Sequence, residues 1–176
     1  MITPMTLHDV LCDFLEKEIA PRFSLKTANI HGEISFKQPQ IIRSGFILPK
    51  FIGEETSEME EFPFIIPRIA KLENMRGERT SIVDIEIYIG VYDAGEYDTE
   101  GKLIDDSSGY RDFWNIVEVI RQGFATNYVI DKKYMLVEDY FEADLLDEQI
   151  YPYWEGFCKT KWYVTFPQPK PDPQNF

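Results

Sequence analysis

A strict alternation of side chains between Ser81 and Asp93 constrains the fold more than any other stretch of this sequence. From Val83 to Tyr92, one set of alternate residues is aliphatic and β-branched throughout, whereas the other set is polar, aromatic or glycine. A period of two over such a length is typical of a β-strand that has one face in the core. We therefore expect a central strand here. Its buried face should consist of Val83, Ile85, Ile87, Ile89 and Val91.

The composition argues against several classes of protein. The chain is 44% hydrophobic and therefore has material for a core. Its 18 basic and 31 acidic residues give a net charge of −13, which disfavours general nucleic-acid binding and docking on an anionic membrane. The same acidity also serves simply to keep a protein soluble. Because no apolar run reaches the ~18 residues of a membrane span and the N-terminus lacks the pattern of a signal peptide, we expect a cytoplasmic protein.

Two stretches have the periodicity of amphipathic helices. The first is expected to begin at an N-cap at Thr6 and to end at Pro21, with His8 solvated on its polar side. The second is predicted from Tyr110 to Gln122, with Gly123 as its natural stop. The apolar stripe of the second helix is Phe113, Ile116, Val117 and Ile120, with Phe124 beyond.

The remaining pattern predicts several more strands, with a long open hairpin leading into the central one. Pro67 lacks a backbone donor, so its strand should lie at an edge or bulge at that residue. These strands and the two helices predict an α+β fold, a mostly antiparallel mixed sheet with both helices packed on it. We expect one domain over residues 1–166, with long loops near 51–61 and 93–108, and a proline-rich tail over 167–176. The further strands are Ile30–Phe36, Gln40–Leu48, Phe62–Ala70, Tyr128–Ile130, Tyr134–Tyr140 and Phe157–Phe166.

The sequence lacks the familiar motifs of catalysis and phosphate binding. His8 and His31 fall on unrelated elements, and the carboxylates that follow the central strand do not have the register of a calcium-binding loop. Cys12 and Cys158 are far apart, so we expect buried free thiols in a reducing compartment. No catalytic, cofactor-binding or metal-binding residue is predicted. A metal-dependent hydrolase that uses the acidic clusters remains an alternative.

An unusual aromatic cluster, Tyr151-Pro152-Tyr153-Trp154, falls in a predicted connection rather than in a periodic element. Tyrosine and tryptophan dominate protein interfaces, although they also cover cores. The cluster therefore either folds back over the core or faces a partner.

Four blocks of the sequence carry a resemblance to a known family. They are Glu61–Arg68, the strand end Ile89–Asp93, the helix start Gly109–Asp112, and Ile150–Gly156, which contains the YPYW cluster. In this order they resemble the tail terminator proteins, also called tail completion or minor capsid proteins, of long-tailed phages and prophages of Gram-positive bacteria. Pro67, the acidic stretch 51–61 and the proline-rich end depart from the shared pattern.

The resemblance implies a structural protein without catalysis or cofactor. Such subunits form a hexameric ring on the last ring of the tail tube, stop its polymerisation and present a surface to the head connector protein. DNA passes through the ring without specific binding, and a subunit could stay monomeric until assembly. The protein would be found in the host cytoplasm during assembly and then at the head–tail junction of the virion. Another connector or a tail tube protein of the same module is the alternative.

Ring assembly needs complementary patches on each subunit. We expect them on the YPYW connection, on the loop over residues 93–108 and on the polar stripe of the second helix. The predicted contact residues are Asp93, Tyr110, Arg111, Asn115, Glu118, Tyr151, Tyr153 and Trp154.

Overall fold

Ten strands and two α-helices form the described part of the chain in a computed structural model, which covers residues 2–28, 33–46, 62–74, 80–104 and 108–165. The helices are α1 (Pro4–Phe14) and α2 (Ser108–Thr126). The strands are β1 (Leu25–Ala28), β2 (Ile34–Lys37), β3 (Gln40–Ile41), β4 (Phe64–Asn74), β5 (Thr80–Tyr92), β6 (Glu96–Tyr97), β7 (Leu103–Ile104), β8 (Val129–Ile130), β9 (Tyr134–Leu145) and β10 (Tyr153–Thr165).

The main sheet has six strands in the order β3-β4-β5-β10-β9-β8. All its neighbouring strands are antiparallel except β3 and β4, which pair in parallel. β5 therefore lies in the middle, as its alternating pattern predicts. The predicted α+β class, with a mostly antiparallel mixed sheet, is confirmed.

Both helices pack on one face of this sheet. The aliphatic side chains of β5 that point to that face are all fully buried, and they meet apolar residues of α1, α2 and β10 in one core. The opposite face carries a smaller apolar cluster formed by Phe62, Phe64, Ile66 and Tyr92. Within the described residues the two faces of the sheet therefore differ, because one is covered by helices and the other carries this cluster near one end of β5.

α1 begins three residues earlier than the sequence pattern predicts. The N-cap is Thr3, whose hydroxyl accepts a hydrogen bond from the Thr6 N–H at 3.1 Å, while the Thr3 N–H donates to Thr6 Oγ1 at 2.9 Å. Thr6 is thus the partner in a capping box and not the cap, and that prediction was wrong. Pro4 occupies the first helical turn, where its missing N–H costs nothing. After α1 the chain continues through a π-helical turn and a 3₁₀ turn to Arg22, one residue past Pro21.

His8 is buried, which contradicts its predicted place on a solvated helix face. Its Nε2 lies 3.0 Å from the carbonyl oxygen of Pro67, and because a carbonyl only accepts, this nitrogen donates. Cys12, one turn further along α1, is buried beside it. The buried surface of α1 is therefore wider than its aliphatic stripe, because β4 packs across the helix here.

Gly123 does not end the second helix, as the sequence suggested. α2 continues to Thr126, and Gly123 is buried within it. A Cβ at this position would lie 2.8 Å from Cδ1 of Ile19. Glycine here permits close approach of two helical segments, so its role is packing rather than termination. The predicted apolar stripe of α2, in contrast, is buried in full.

The first predicted strand is replaced by a hairpin outside the main sheet. β1, which the sequence pattern did not predict, pairs with β2 in a separate two-stranded sheet. The side chains of Ile34 and Phe36 in β2 are 51% and 63% exposed, so their alternation does not mark a core face. Residues 30–32 of the predicted strand lie outside the described residues.

The other strands differ from expectation mainly in length. β3 ends at Ile41 and a turn follows, whereas β4 extends to Asn74. Within the described residues β4 pairs with β3 only at Phe64 and Ile65, and the rest of β4, which includes Pro67, is an edge strand as predicted. The bulge in β4 lies between Ile69 and Lys71 and not at Pro67. β10 begins at Tyr153, so half of the YPYW cluster belongs to a strand and not to a connection.

Several expectations fall outside the described residues. The acidic stretch 51–61, the hairpin turn 75–79 and the tail 167–176 are among them. The loop over residues 93–108 contains the small hairpin of β6 and β7. No helix in the described ranges is long and apolar enough to cross a membrane.

Candidate interaction surface

Asp93 lies at the point where β5 ends and α2 begins. Its carboxylate accepts hydrogen bonds from the Gly109 N–H at 2.8 Å, from the Ser108 hydroxyl, from the Gly95 N–H at 3.0 Å and from Lys26 Nζ at 2.8 Å. The Gly109 N–H is one of the donors that a helix start leaves unsatisfied, and a negative charge is favourable there. Asp93 thus joins β1, β5 and α2.

Asp93 is only 5% exposed, so its carboxylate is part of the fold and is not available to a partner. Burial on its own opposes the ionised form. The hydrogen bonds from Lys26, Ser108 and Gly95 outweigh burial and hold the pKa of Asp93 below its ordinary value. The sequence predicted Asp93 as a contact residue, whereas the structure buries its carboxylate, which holds the neighbouring elements in place.

Trp154 and Tyr110 form an aromatic contact beside Asp93. Their ring centroids are 5.9 Å apart in an edge-to-face arrangement, and Tyr110 also contacts Trp114 at 6.3 Å. Trp154 lies so close to Gly109 that a Cβ there would clash with the indole ring. Trp154 is half-buried against the main core, whereas Tyr110 is exposed. The cluster therefore covers the core with one ring and faces solvent with another.

The two tyrosines of the YPYW cluster have different surroundings. Tyr153 packs against Phe62 and Tyr92, with centroid distances of 4.6 Å and 5.8 Å, on the sheet face away from the helices. Tyr151 is 54% exposed, and its hydroxyl donates to the carbonyl oxygen of Ala94 at 2.5 Å. Because successive residues of a strand point to opposite faces, Tyr153 cannot share a surface with Trp154.

The polar stripe of α2 continues from this end of the molecule. Arg111 and Asn115 are exposed, and Glu118 is half-buried. Glu118 accepts two hydrogen bonds from Arg121, at 2.7 and 2.8 Å, and one from Gln122, and these donors lower its pKa to about 2. Glu118 lies about 12 Å along the helix from Tyr110, at 1.5 Å per residue. The stripe is therefore an extension of the aromatic end and not part of it.

Three exposed apolar side chains near Tyr151 were not singled out from the sequence. They are Leu103 and Ile104 in β7 and Ile150 before Tyr151. Leu103 lies against Gly95, the residue that follows the Ala94 carbonyl bound by Tyr151. The sequence signal for the first two is that Leu103 and Ile104 form an aliphatic pair inside an otherwise polar loop. We use the name "aromatic end" for the surface formed by Leu103, Ile104, Tyr110, Ile150, Tyr151 and Trp154.

No family model matches the chain, and no curated protein matches it significantly.

The carboxylates beyond the aromatic end serve turns and ion pairs. Asp98 accepts hydrogen bonds from the backbone N–H groups of Glu100 and Lys102, which closes the turn between β6 and β7. Two carboxylates on the polar face of β5 form ion pairs: Glu86 binds Arg68 at 2.7 Å, and Asp84 lies 3.6 Å from Lys161. Within the described ranges, no three His, Cys, Asp or Glu side chains are grouped in a way that could hold a metal ion.

A hollow of about 580 Å³ opens between the end of α2 and β9. Its acidic lining residues, Glu138 and Asp139, are both exposed. The guanidinium of Arg121 beside them is bonded to Glu118. The residues that line this hollow therefore supply no desolvated acid–base pair of the kind that carboxylate catalysis uses.

Proposed function

We propose that this protein is a tail terminator of a long-tailed phage or prophage, a subunit that caps the tail tube as a ring. The observation that carries the proposal is the convergence of the four sequence blocks that resemble this family. The first and the last are separated by about eighty residues in the chain, yet the blocks contact one another at one end of the sheet.

The contacts between the blocks are specific. Phe62, from the first block, packs against Tyr153, from the last, with tilted rings. Asp93, which ends the second block, binds the backbone of Gly109, which begins the third. Trp154 pairs in register with Val91 on the neighbouring strand. The blocks therefore share one structural region, in which Phe62 and Tyr153 lie on the sheet face away from the helices and Trp154 lies on the helix side.

The aromatic end has the chemistry of a protein contact. It presents exposed aromatic and aliphatic side chains, the residue types that dominate interface energetics, and it rests on strand and helix ends that Asp93 holds in place. The net charge of −13 suits a ring through which DNA slides without binding, because like charge opposes contact with phosphates.

Tube assembly in the presence of this protein tests the proposal. The tail tube protein encoded with it is polymerised with and without a molar excess of the protein, and tube lengths are measured by negative-stain electron microscopy. We expect shorter tubes that each end in one added ring. Unchanged tube lengths with no density at the tube ends would reject the proposal, and long cylinders formed by the protein alone would assign it to the tube instead.

A pair of variants tests whether the aromatic end makes the contact with the tube. Tyr151→Ser changes an exposed side chain of this surface, and Tyr128→Ser changes an exposed tyrosine between α2 and β8. We expect the first variant to lose control of tube length and the second to retain it. Equal activity of the two variants would remove the aromatic end from the proposed contact.

A further inference from the structure

The hollow between the end of α2 and β9 is lined mainly by rings. Its apolar and aromatic lining consists of Phe124, Tyr128, Leu136, Tyr140 and Phe141. Tyr128 is 59% exposed, and Tyr140 is half-buried, with Lys161 Nζ 4.5 Å from the centroid of its ring. The volume of about 580 Å³ lies within the range of about 300–1,000 Å³ that is typical of ligand pockets. The hollow therefore has both the size and the apolar lining of a binding site.

An irregularity in β9 shapes one wall of this hollow. Leu136 and Phe141 pair with residues of β10 that are only two positions apart, so the residues between them leave the register of the sheet. One of these, Asp139, has a φ of 57°, a backbone conformation that residues other than glycine adopt uncommonly. Such bulges are frequent where a sheet re-aims side chains towards a ligand. Here the bulge places Glu138 and Asp139 at the wall of the hollow.

The charge at this wall is negative and uncompensated. The side chains of Glu138 and Asp139 are exposed, and neither forms an ion pair or a hydrogen bond with another described residue. Arg121 also lines the hollow, but its guanidinium is bonded to Glu118. The hollow therefore fits a ligand that combines apolar surface with a positive charge.

The proline-rich tail over residues 167–176 follows β10 close to this hollow. Leu136, in the lining, pairs with Trp162, three residues before Thr165, the last residue of β10. At roughly 3.3 Å per residue, the hollow lies about 10 Å back along β10, and one strand spacing of about 5 Å to the side. A proline-rich chain of the tail's length spans up to about 30 Å at roughly 3 Å per residue. The tail is therefore long enough to reach the hollow of its own copy.

The sequence of the tail has the chemistry that the hollow fits. Prolines occupy every second position from Pro167 to Pro173, and Lys170 is the one basic residue among them. Proline-rich segments bind grooves lined by aromatic side chains, because their extended backbone is preformed and loses little entropy on binding. A lysine between two prolines would bring the positive charge that the wall of the hollow lacks.

We propose that the hollow is a binding site for a proline-rich segment with one lysine, and that the tail of the same copy occupies it. The prolines on either side of Lys170 lie against Tyr128 and Tyr140, while the ammonium group faces Glu138 and Asp139. The aromatic end and this hollow lie at opposite ends of α2. The inference therefore does not depend on the proposed contact with the tail tube.

Zero-length cross-linking of the unsubstituted protein tests this contact. A carbodiimide joins an amine to a carboxylate only when the two groups touch, and mass spectrometry of the digested protein locates the new bond. We expect Lys170 to be joined to Glu138 or Asp139, and Lys170→Arg, which keeps the charge without the reactive amine, to lose this product. The inference is overturned if Lys170 is joined to neither carboxylate, or equally often to the exposed Asp147 at the other end of β9.

A mixture of unlabelled and isotopically labelled protein shows which copy supplies the tail. We expect the two cross-linked residues to carry the same label, because the tail reaches the hollow of its own copy. Cross-links that join labelled to unlabelled residues as often as random mixing would give assign the hollow to another copy and overturn the proposal.

Two exposed tyrosines provide matched variants. Tyr128→Ser removes a ring from the hollow, and Tyr151→Ser removes one from the aromatic end. The first should lower the yield of the Lys170 cross-link about threefold or more, whereas the second should leave it unchanged. Thermal unfolding checks that both variants are folded. Equal yields from the two folded variants would show that the rings of the hollow do not hold the tail, and would overturn the inference.

This inference and the proposed function fail separately. Loss of the Lys170 cross-link with normal control of tube length removes the tail from the hollow and leaves the terminator function. An intact cross-link in a protein that does not change tube length removes the function and leaves the binding site.

Discussion

Replacement of Asp93 tests the structural argument most directly, because one carboxylate holds three elements together. Asp93→Ala removes the acceptor at the start of α2, worth about 1 kcal/mol. It also removes a hydrogen bond to the charged Lys26, worth about 1.5–3 kcal/mol. The side chain of Lys26 is 20% exposed, so its ammonium group can be hydrated when Asp93 is removed. The loss of unfolding free energy should therefore lie at the lower end of the range for a buried ion pair that loses one partner. We expect the free energy of unfolding to fall by about 3 kcal/mol.

A double-mutant cycle in urea at pH 7 measures this quantity. Lys26→Met keeps the acceptor for α2 and removes only the ion pair, so it should cost less than Asp93→Ala. The double variant should cost less than the sum of the two single variants, because both remove the same ion pair. This account would be refuted if Asp93→Ala were as stable as the unsubstituted protein at pH 7. It would also be refuted if the losses of unfolding free energy in the two single variants added up to the loss in the double variant.

The same carboxylate predicts a pH dependence. Its pKa in the folded protein is below its ordinary value, so its stabilising contribution is fully present above the unfolded value of about 3.9 and is lost as the pH falls through the folded value. The difference in unfolding free energy between the unsubstituted protein and Asp93→Ala should therefore be constant from pH 7 to pH 5 and shrink below pH 4. A difference that grows on acidification contradicts the assigned hydrogen bonds.

Three further predictions follow from packing and burial. Gly156→Ala should lower the free energy of unfolding in urea by about 2–4 kcal/mol, because a Cβ at this position would clash with the Asp144 carbonyl oxygen of β9 and with the ring of Phe113. An unchanged free energy of unfolding would show that β9 can move to accommodate the methyl group. Trp154→Ala should lower the free energy of unfolding by about 2 kcal/mol, because the ring is half-buried against the core. Tyr151→Ser should lower it by less than about 1 kcal/mol, because Tyr151 is exposed. Equal thermal stabilities of the two variants would contradict these two environments. Cys12 and Cys158 should resist a thiol reagent at pH 8 until the protein is unfolded, since burial raises their pKa values to about 11 and about 12; rapid labelling of the native protein would oppose this.

The candidate site shows how far sequence reasoning reached. The aromatic cluster stood out because its large rings did not fit a periodic element; in the structure Tyr151 is exposed, and Trp154 contacts the exposed Tyr110. The assignment of Tyr153 to the same surface failed, because β10 begins at that residue and turns it to the opposite face. Where a strand begins depends on its partner strands, and the local sequence does not contain that information.

The sequence alone determined those features that depend on local geometry. A strand repeats its side-chain direction every two residues and a helix every 3.6, so the alternation of β5 and the apolar stripe of α2 predicted both elements and their buried faces. The α+β class followed from the number and order of such patterns.

Only the tertiary structure decided which residues meet. His8 is buried because β4 crosses α1, Gly123 is a packing residue because Ile19 lies against it, and Phe36 is exposed because its strand pairs outside the main sheet. In each case the deciding neighbour lies far away in the chain. Periodicity reports the direction in which a side chain points, whereas long-range pairing and packing determine what lies there.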